Sequence, residues 1–500
     1  MPADRGVELA ARLSKFRIVV ASDIDMEKAH SIDLELLAAR IVEHFDKADG
    51  LRILDGKTLD SIIAGMALDK APQIIDVERQ VSYKPIAAEV DATYSLHDYK
   101  IEKTGGVVDD FVSYFRNRTE RLRRIMESNR QSLTGILKSI DVIDGLPTGR
   151  EVVIVGIVNQ KITTKNGNIM VVLEDETATA KIMFMKNQQG RSADLFARSG
   201  SIVNDEVLAV RGKISGPFVI ANEFYFPDVP VIDQKKSSDD IAMAFMSDIH
   251  VGSRYFIESS FARMIKWLNG DVDHRKDLAG KIKYMVIAGD VVDGVGIYPE
   301  QERNLSVPDV YLQYRLLFNF LDSIPDYIHI FIIGGNHDAV QRAEPQPAFG
   351  DEILGDFKRS NIHFLPNPSA LTIDGFNVLA YHGTSLDSVI SAIPGMSYAR
   401  PEKAMIEILK RRHLSPIYGG NVIVPAKEDN LIINTVPDIL HMGHVHKNGF
   451  ANYHGIDIVN SGTWQSQTDF QIRQGHIPSP CIMPVLEMKT HTYTNLNFNE

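Results

Sequence analysis

After residue 240 one pattern recurs five times: an apolar run of β type ends, and side chains able to bind a metal follow at once. Ala242 to Met246 leads to Asp248 and His250, and Tyr284 to Ala288 leads to Gly289-Asp290. Ile328 to Ile333 leads to Gly334-Gly335-Asn336-His337-Asp338, Phe376 to Tyr381 leads to His382-Gly383, and Asp438 to Met442 leads to Gly443-His444-Val445-His446. Imidazoles, carboxylates and one amide oxygen make a mixed nitrogen and oxygen donor set, which suits Mn2+, Fe2+ or Zn2+ better than the all-oxygen preference of Mg2+. Two divalent ions are implied, because a pair roughly 3.5–4 Å apart can clamp a phosphate and stabilise both its entering and its leaving oxygens. A carboxylate must bridge such a pair. Asp290 is the natural candidate, since the preceding glycine lets the backbone pass close to the ions. A lone Asp-x-His or Gly-x-His-x-His arises by chance; five such pieces in order, each closing a β run, do not.

Loops at the carboxyl ends of strands are where α/β and sandwich folds gather their sites, so the chain must supply strands ending side by side. At 500 residues and 44% apolar it is long enough for about three domains with cores of their own. Runs such as Val152 to Val155 and Ile330 to Ile333 fall far short of the roughly 20 apolar residues that cross a bilayer, so no membrane span is expected. Asp4, Arg5 and Glu8 open the chain without an apolar segment, which argues against secretion. A single cysteine, Cys481, excludes an internal disulfide framework and fits the reducing cytoplasm. With 53 basic against 65 acidic residues the net charge is −12, so any grip on nucleic acid must be local.

Residues 1–70 read as a helical module: Leu34, Leu37, Ala38, Ile41, Val42 and Phe45 trace an apolar stripe, with Ser31 and Asp33 as cap candidates. Residues 71–140 read as a partly extended linker followed by a basic amphipathic helix between Asp109 and Lys138. In that helix Phe111, Phe115, Leu122, Met126, Leu133 and Leu137 recur at steps of four and seven, beside Arg116, Arg118, Arg121, Arg123, Arg124 and Arg130. This face either pairs with carboxylates of a neighbouring domain or touches phosphates, and Arg116, Arg121 and Arg124 are the DNA-contact candidates. Residues 141–235 are β-rich, with Asn166-Gly167 as a hairpin signal, and suggest a small barrel of the OB type. Glu151 to Met183 holds no aromatic residue on which a base could stack, so the barrel reads as a docking module. Lys235 to Asp240 is a polar break before the metal-binding region, 240–500.

The five motifs resemble those of the calcineurin-like metallophosphoesterases. That resemblance implies two metals on a double β-sheet sandwich flanked by helices, and thus a multidomain α+β protein overall. It implies that Asp248, His250 and His446 hold one ion, that Asn336, His382 and His444 hold the other, and that Asp290 bridges them. It further implies that His337 contacts the phosphate or leaving oxygen while Asp338 orients its ring. With the helical module, the basic helix from Asp110 to Arg118 and the barrel, the resemblance extends to the small subunits of archaeal family D DNA polymerases. Gly289 to Pro299 and Thr463 to Thr468 are the more discriminating stretches. Members of that family are 3′–5′ proofreading exonucleases that release nucleoside monophosphates from single-stranded or primer-template DNA and are bound to a large catalytic subunit. The rivals are a metallophosphatase or phosphodiesterase acting on a small substrate, and a non-catalytic polymerase scaffold.

Of the other histidines, His97, His329, His363, His413 and His476 lack partners at ligand spacing and are expected to be structural. His441, Asp293 and His454 are near the motifs without being part of them. Trp464 either stacks on a terminal base or fills a core.

Overall fold

The computed structural model describes residues 2–16, 18–21, 24, 34–45, 52–69, 83–97, 101–129, 133, 135–186 and 190–499. Ser31, Asp33, Arg130 and the first part of the expected linker lie outside them.

From residue 241 onward the long apolar runs become central strands. Ala242–Met246 and Ile282–Ala288 are buried at every position, as strands covered on both faces must be. They belong to a six-stranded sheet ordered Ile362–Leu365, His329–Ile333, Ile282–Ala288, Ala242–Met246, Ile482–Glu487 and Thr492–Asn497. The first four of these strands are parallel, and the last two close the sheet as an antiparallel hairpin. A second six-stranded sheet is ordered Asn448–Tyr453, Ile456–Ser461, Ile439–Met442, Phe376–Ala380, Ser369–Ile373 and Tyr94–His97. Between the sheets Phe245, Val286 and Phe331 pack with Val378, Ile439 and Val459. The outer faces are covered by helices, with Met264, Trp267 and Leu317 on the first sheet and Met405 and Leu409 on the second.

Register decides where the site forms. Met246 pairs with Ile287 and Ala288 with Ile333, so the loops that follow these three strands leave the same edge together. In the second sheet Ala380 pairs with His441, which brings the loops of His382 and His444 beside them.

Between residues 151 and 225 five strands form a closed barrel, ordered Glu151–Thr163, Ile169–Glu174, Thr179–Phe184, Phe218–Tyr225 and Val207–Ser215. At the N-terminus the helices Pro2–Ser14, Leu34–Phe45 and Gly56–Asp69 enclose Leu9, Leu13, Leu37, Ile41, Leu59 and Ile62. They also flank a short parallel ribbon, Ile18–Val20 with Arg52–Leu54.

Two expectations need correction. Tyr94–His97 is not linker: it pairs antiparallel with Ser369–Ile373 as the edge of the second sheet, and Ala87 bonds back to the Gly280 carbonyl. The basic helix ends at Asn129 rather than near Lys138, and Ile136 instead bridges Val153 of the barrel.

Candidate metal centre and its surroundings

All seven ligand candidates meet at one edge of the two sheets. The inward Nε2 atoms of His250 and His446 are 3.0 Å apart, and Asp248 Oδ1 is 4.0 and 3.4 Å from them. A few ångströms away Asn336 Oδ1 is 2.9 Å from His382 Nε2 and 3.0 Å from His444 Nδ1. Asp290 lies between the two groups, with Oδ2 3.3 Å from His382 Nε2 and 3.9 Å from His250 Nε2. Asp248, His250, Asp290 and His382 are fully shielded from solvent or nearly so.

The outward ring nitrogens fix which nitrogens face in. Nδ1 of His250 donates to Asp293, Nδ1 of His382 to the Ala288 carbonyl, and Nε2 of His444 to Asp387, at 3.0, 2.8 and 3.0 Å. Each bond leaves the opposite nitrogen facing the centre, where a metal ion would replace its proton, as a metal-binding histidine requires. The Gln471 amide closes on Nδ1 of His446 at 2.8 Å. Asp248 accepts the His444 amide, and Asp290 Oδ1 accepts the His337 amide at 2.8 Å.

The backbone is bent to make this convergence. Asp248, His250, Asp290, His444 and His446, five of the seven, hold positive φ. For residues with a Cβ that conformation is costly and persists only where surrounding structure imposes it. Gly289, at φ +82°, sits so close to the next loop that a Cβ would meet the Gly334 carbonyl at 2.7 Å and His382 Nδ1 at 2.8 Å.

Electrostatics favour a cation. Burial alone would lower the imidazoles, yet the carboxylates overcome it: Asp290 and Asp248 lift His382 to about 10, and Asp293 with Asp290 lifts His250 to about 8. Burial likewise penalises the Asp290 charge, but His382 and His337 outweigh it and hold the carboxyl well below the usual range. Buried carboxylates surrounded by inward-facing nitrogens and one amide oxygen are a donor set able to hold a metal ion.

His337 comes within 4.7 Å of His250, ring to ring, and its Nδ1 donates to the Asp293 carbonyl at 2.8 Å. Asp338 does not orient that ring. Its carboxylate accepts the Gly335, Val291 and Val292 amides and the Tyr314 hydroxyl, so it braces the loops instead. Burial and the nearby Asp290 charge push Asp338 up to about 7.

Trp464 is a core residue, 1% exposed and packed edge-on against Phe261 at 5.0 Å; its backbone amide holds the Asp248 carbonyl. A base cannot reach its ring. The arginines are paired as well: Arg116 stands 3.7 Å from Glu176, Arg121 bonds the Asp429 carbonyl, and Arg124 pairs with Glu120. Arg118, buried, joins Asp429 at 2.7 Å. His441, buried and pushed down to about 3, contacts Ser461, which donates to Ser247 beside Asp248. His454 bonds the Val229 carbonyl, outside this cluster.

Asp387 and Gln471 are supports that motif reading missed; Asp293, noted beside the motifs, is a third. Asp293 stood three residues after Asp290 in the same loop, the only sequence signal it carried. Asp387 and Gln471 carried none.

Residues 243–452 match the family of the B subunits of DNA polymerases alpha and epsilon. The matched span takes in most strands of the two-sheet body and all seven ligand candidates. A DNA polymerase II small subunit of Archaeoglobus fulgidus is 43% identical over 94% of this chain and 94% of its own length. Those of Methanocaldococcus jannaschii and Methanothermobacter thermautotrophicus are 42% and 38% identical, over 81% and 83% of this chain and 68% and 83% of theirs. The chain belongs to the family of archaeal DNA polymerase II small subunits. Among the described residues no helix is long and apolar enough to cross a membrane.

Proposed function

We propose that this centre hydrolyses the 3′-terminal phosphodiester of DNA, releasing nucleoside monophosphates. The chain would then act as the proofreading 3′–5′ exonuclease and small subunit of a two-subunit polymerase in the cytoplasm, bound to a large catalytic subunit. The observation that carries this reading is the inward convergence of seven donor side chains beside His337, in a chain of this family.

Asp248, His250 and His446 would hold one divalent ion and Asn336, His382 and His444 a second, with Asp290 shared; the donor set favours Mn2+. When bound, the ions supply Lewis acidity to the phosphate and to water. The protein's own groups do the positioning. Asp293, Asp387 and the Ala288 carbonyl aim the imidazoles, and the two sheets exclude water from Asp248 and Asp290. His337, with Nδ1–H committed to a carbonyl, presents Nε2, which when protonated can donate to the phosphate or the leaving 3′ oxygen. The barrel, read as OB-type, would dock the large subunit.

The test combines elemental analysis with manganese-dependent digestion of 3′-labelled primers, matched and mismatched, with and without the large subunit. Mononucleotide release, faster from the mismatch and absent from Asp290→Ala, is expected. Hydrolysis of p-nitrophenyl phosphate without attack on single-stranded DNA would move the reading to a small-molecule hydrolase.

A further inference from the structure

Aromatic side chains lie beside His337 and around the short helix that carries Gln471. Tyr298 stands 6.2 Å from His337, ring to ring. Ser466, just before the short helix Asp469–Gln474, donates its amide to the Tyr255 carbonyl. A capping box between Thr468 and Gln471 fixes that helix, and Gln471 is the residue that reaches His446. Its neighbour Phe470 is 54% exposed. Past the helix, the His476 amide bonds the Gln471 carbonyl, and its ring lies 4.1 Å from that of Tyr398. Asp387, near the Tyr398 hydroxyl, accepts from His444.

Core packing accounts for these rings only in part: Tyr398 is half-buried against the second sheet's core. Tyr255, Tyr298 and Phe470 belong to none of the apolar clusters among the described residues. Exposed rings beside a phosphate site are the means by which single-stranded nucleic acid is held without regard to sequence, since every base has a face to stack. A paired terminus keeps its base faces inside the duplex, and freeing them costs a few kcal/mol, least at a mismatch. The barrel offers no such platform between Glu151 and Met183.

We propose that this aromatic rim, with Phe470 and Tyr398 as its principal faces, seats the unpaired bases at the 3′ end of a DNA strand. The choice of a frayed over a paired end is then made on the two-sheet body rather than on the barrel. This rests on the nuclease reading above.

The probe is a single-stranded oligonucleotide with 2-aminopurine at its 3′ end and a phosphorothioate at the terminal linkage, bound to the full chain in manganese. Stacking quenches the fluorescence. Phe470→Ala and Tyr398→Ala are each expected to weaken binding about 10-fold and to restore part of the signal. Tyr398→Phe, which keeps the ring, should bind like the unaltered protein. Replacing the terminal bases by abasic sites should weaken the unaltered protein but cost Phe470→Ala little more. Variants that bind and quench normally would overturn the rim while leaving any mononucleotide release by the unaltered protein intact. Tight, quenched binding of the probe, with no mononucleotide release from the same oligonucleotide carrying an ordinary phosphate at its terminal linkage, would overturn the nuclease reading and leave the rim standing; absence of binding by the unaltered protein would overturn both.

Discussion

Nδ1 of His250 donates to Oδ1 of Asp293 at 3.0 Å, while the carbonyl of that same aspartate accepts from Nδ1 of His337 at 2.8 Å. One residue therefore sets the tautomers of a ligand candidate and of the histidine beside it. Gln301 and Gln465 satisfy the rest of its carboxylate, at 3.1 and 3.2 Å. Asp293→Asn keeps the backbone carbonyl but turns a charged acceptor into a neutral amide. Manganese affinity, read by calorimetric titration, should fall about 10- to 100-fold. Turnover at saturating metal should fall less, because the hold on His337 persists. Unchanged affinity would mean that packing alone fixes the His250 ring.

His337→Ala separates the two roles that a histidine in this cluster can have. As a group that contacts the phosphate, its loss should leave metal content intact and lower single-turnover cleavage by about 10²- to 10⁴-fold. Elemental analysis beside rapid-quench kinetics gives both numbers. Metal lost together with activity would instead make His337 a ligand, in the group it forms with His250 and Asp293.

The site was legible because its signal is local. Each ligand candidate follows its own β run within a few residues, and parallel register does the gathering without any further instruction in the motif. What could not be read depends on distant parts of the chain. Arg118 meets Asp429 across 311 residues, so nothing near Arg118 told a buried ion pair from a phosphate contact. Trp464 is in the core because Phe261 and Phe498 come to it from far along the chain. Tyr94–His97 lies among short β-type pieces whose sequence names no partner, and only the free edge of Ser369–Ile373 makes it part of a sheet. Asp338 follows His337 directly, yet backbone amides of two loops claim its carboxylate.

Gly289→Ala tests whether loop contact, and not ligand identity alone, builds the centre. The position holds φ +82°, and the added methyl would press on Gly334, Gly335 and His382 at 2.7–2.8 Å. Two of the three contacts are backbone, which cannot rotate away. The variant is expected to lose about 1–3 kcal/mol of stability from strain alone. It should also bind manganese more weakly although every donor side chain remains. Normal affinity by calorimetry, with a normal melting temperature, would show that the loops yield more easily than this packing implies.

Asp429 joins the basic helix to the second sheet's body, and its protonation should set the acid limit of that joint. It is fully buried and accepts from Arg118 at 2.7 Å, Tyr114 at 2.7 Å and His413 at 2.8 Å. Arg118 also bonds the carbonyls of Asp205 and Pro416, so the joint reaches the barrel. Burial penalises the Asp429 charge, but His413 and Arg118 outweigh it and hold the carboxyl far below its ordinary range. A carboxyl depressed in the folded state takes up protons more readily when unfolded. Its contribution is therefore complete above the unfolded value of about 3.9 and is lost as pH falls from there toward the folded value. Asp429→Asn leaves Arg118 buried without its counter-charge, which should cost about 3–5 kcal/mol near neutral pH. Denaturation curves of the two proteins should then approach each other as pH drops below about 4. A gap that stays constant into acid would assign the loss to altered hydrogen bonding, not to the charge.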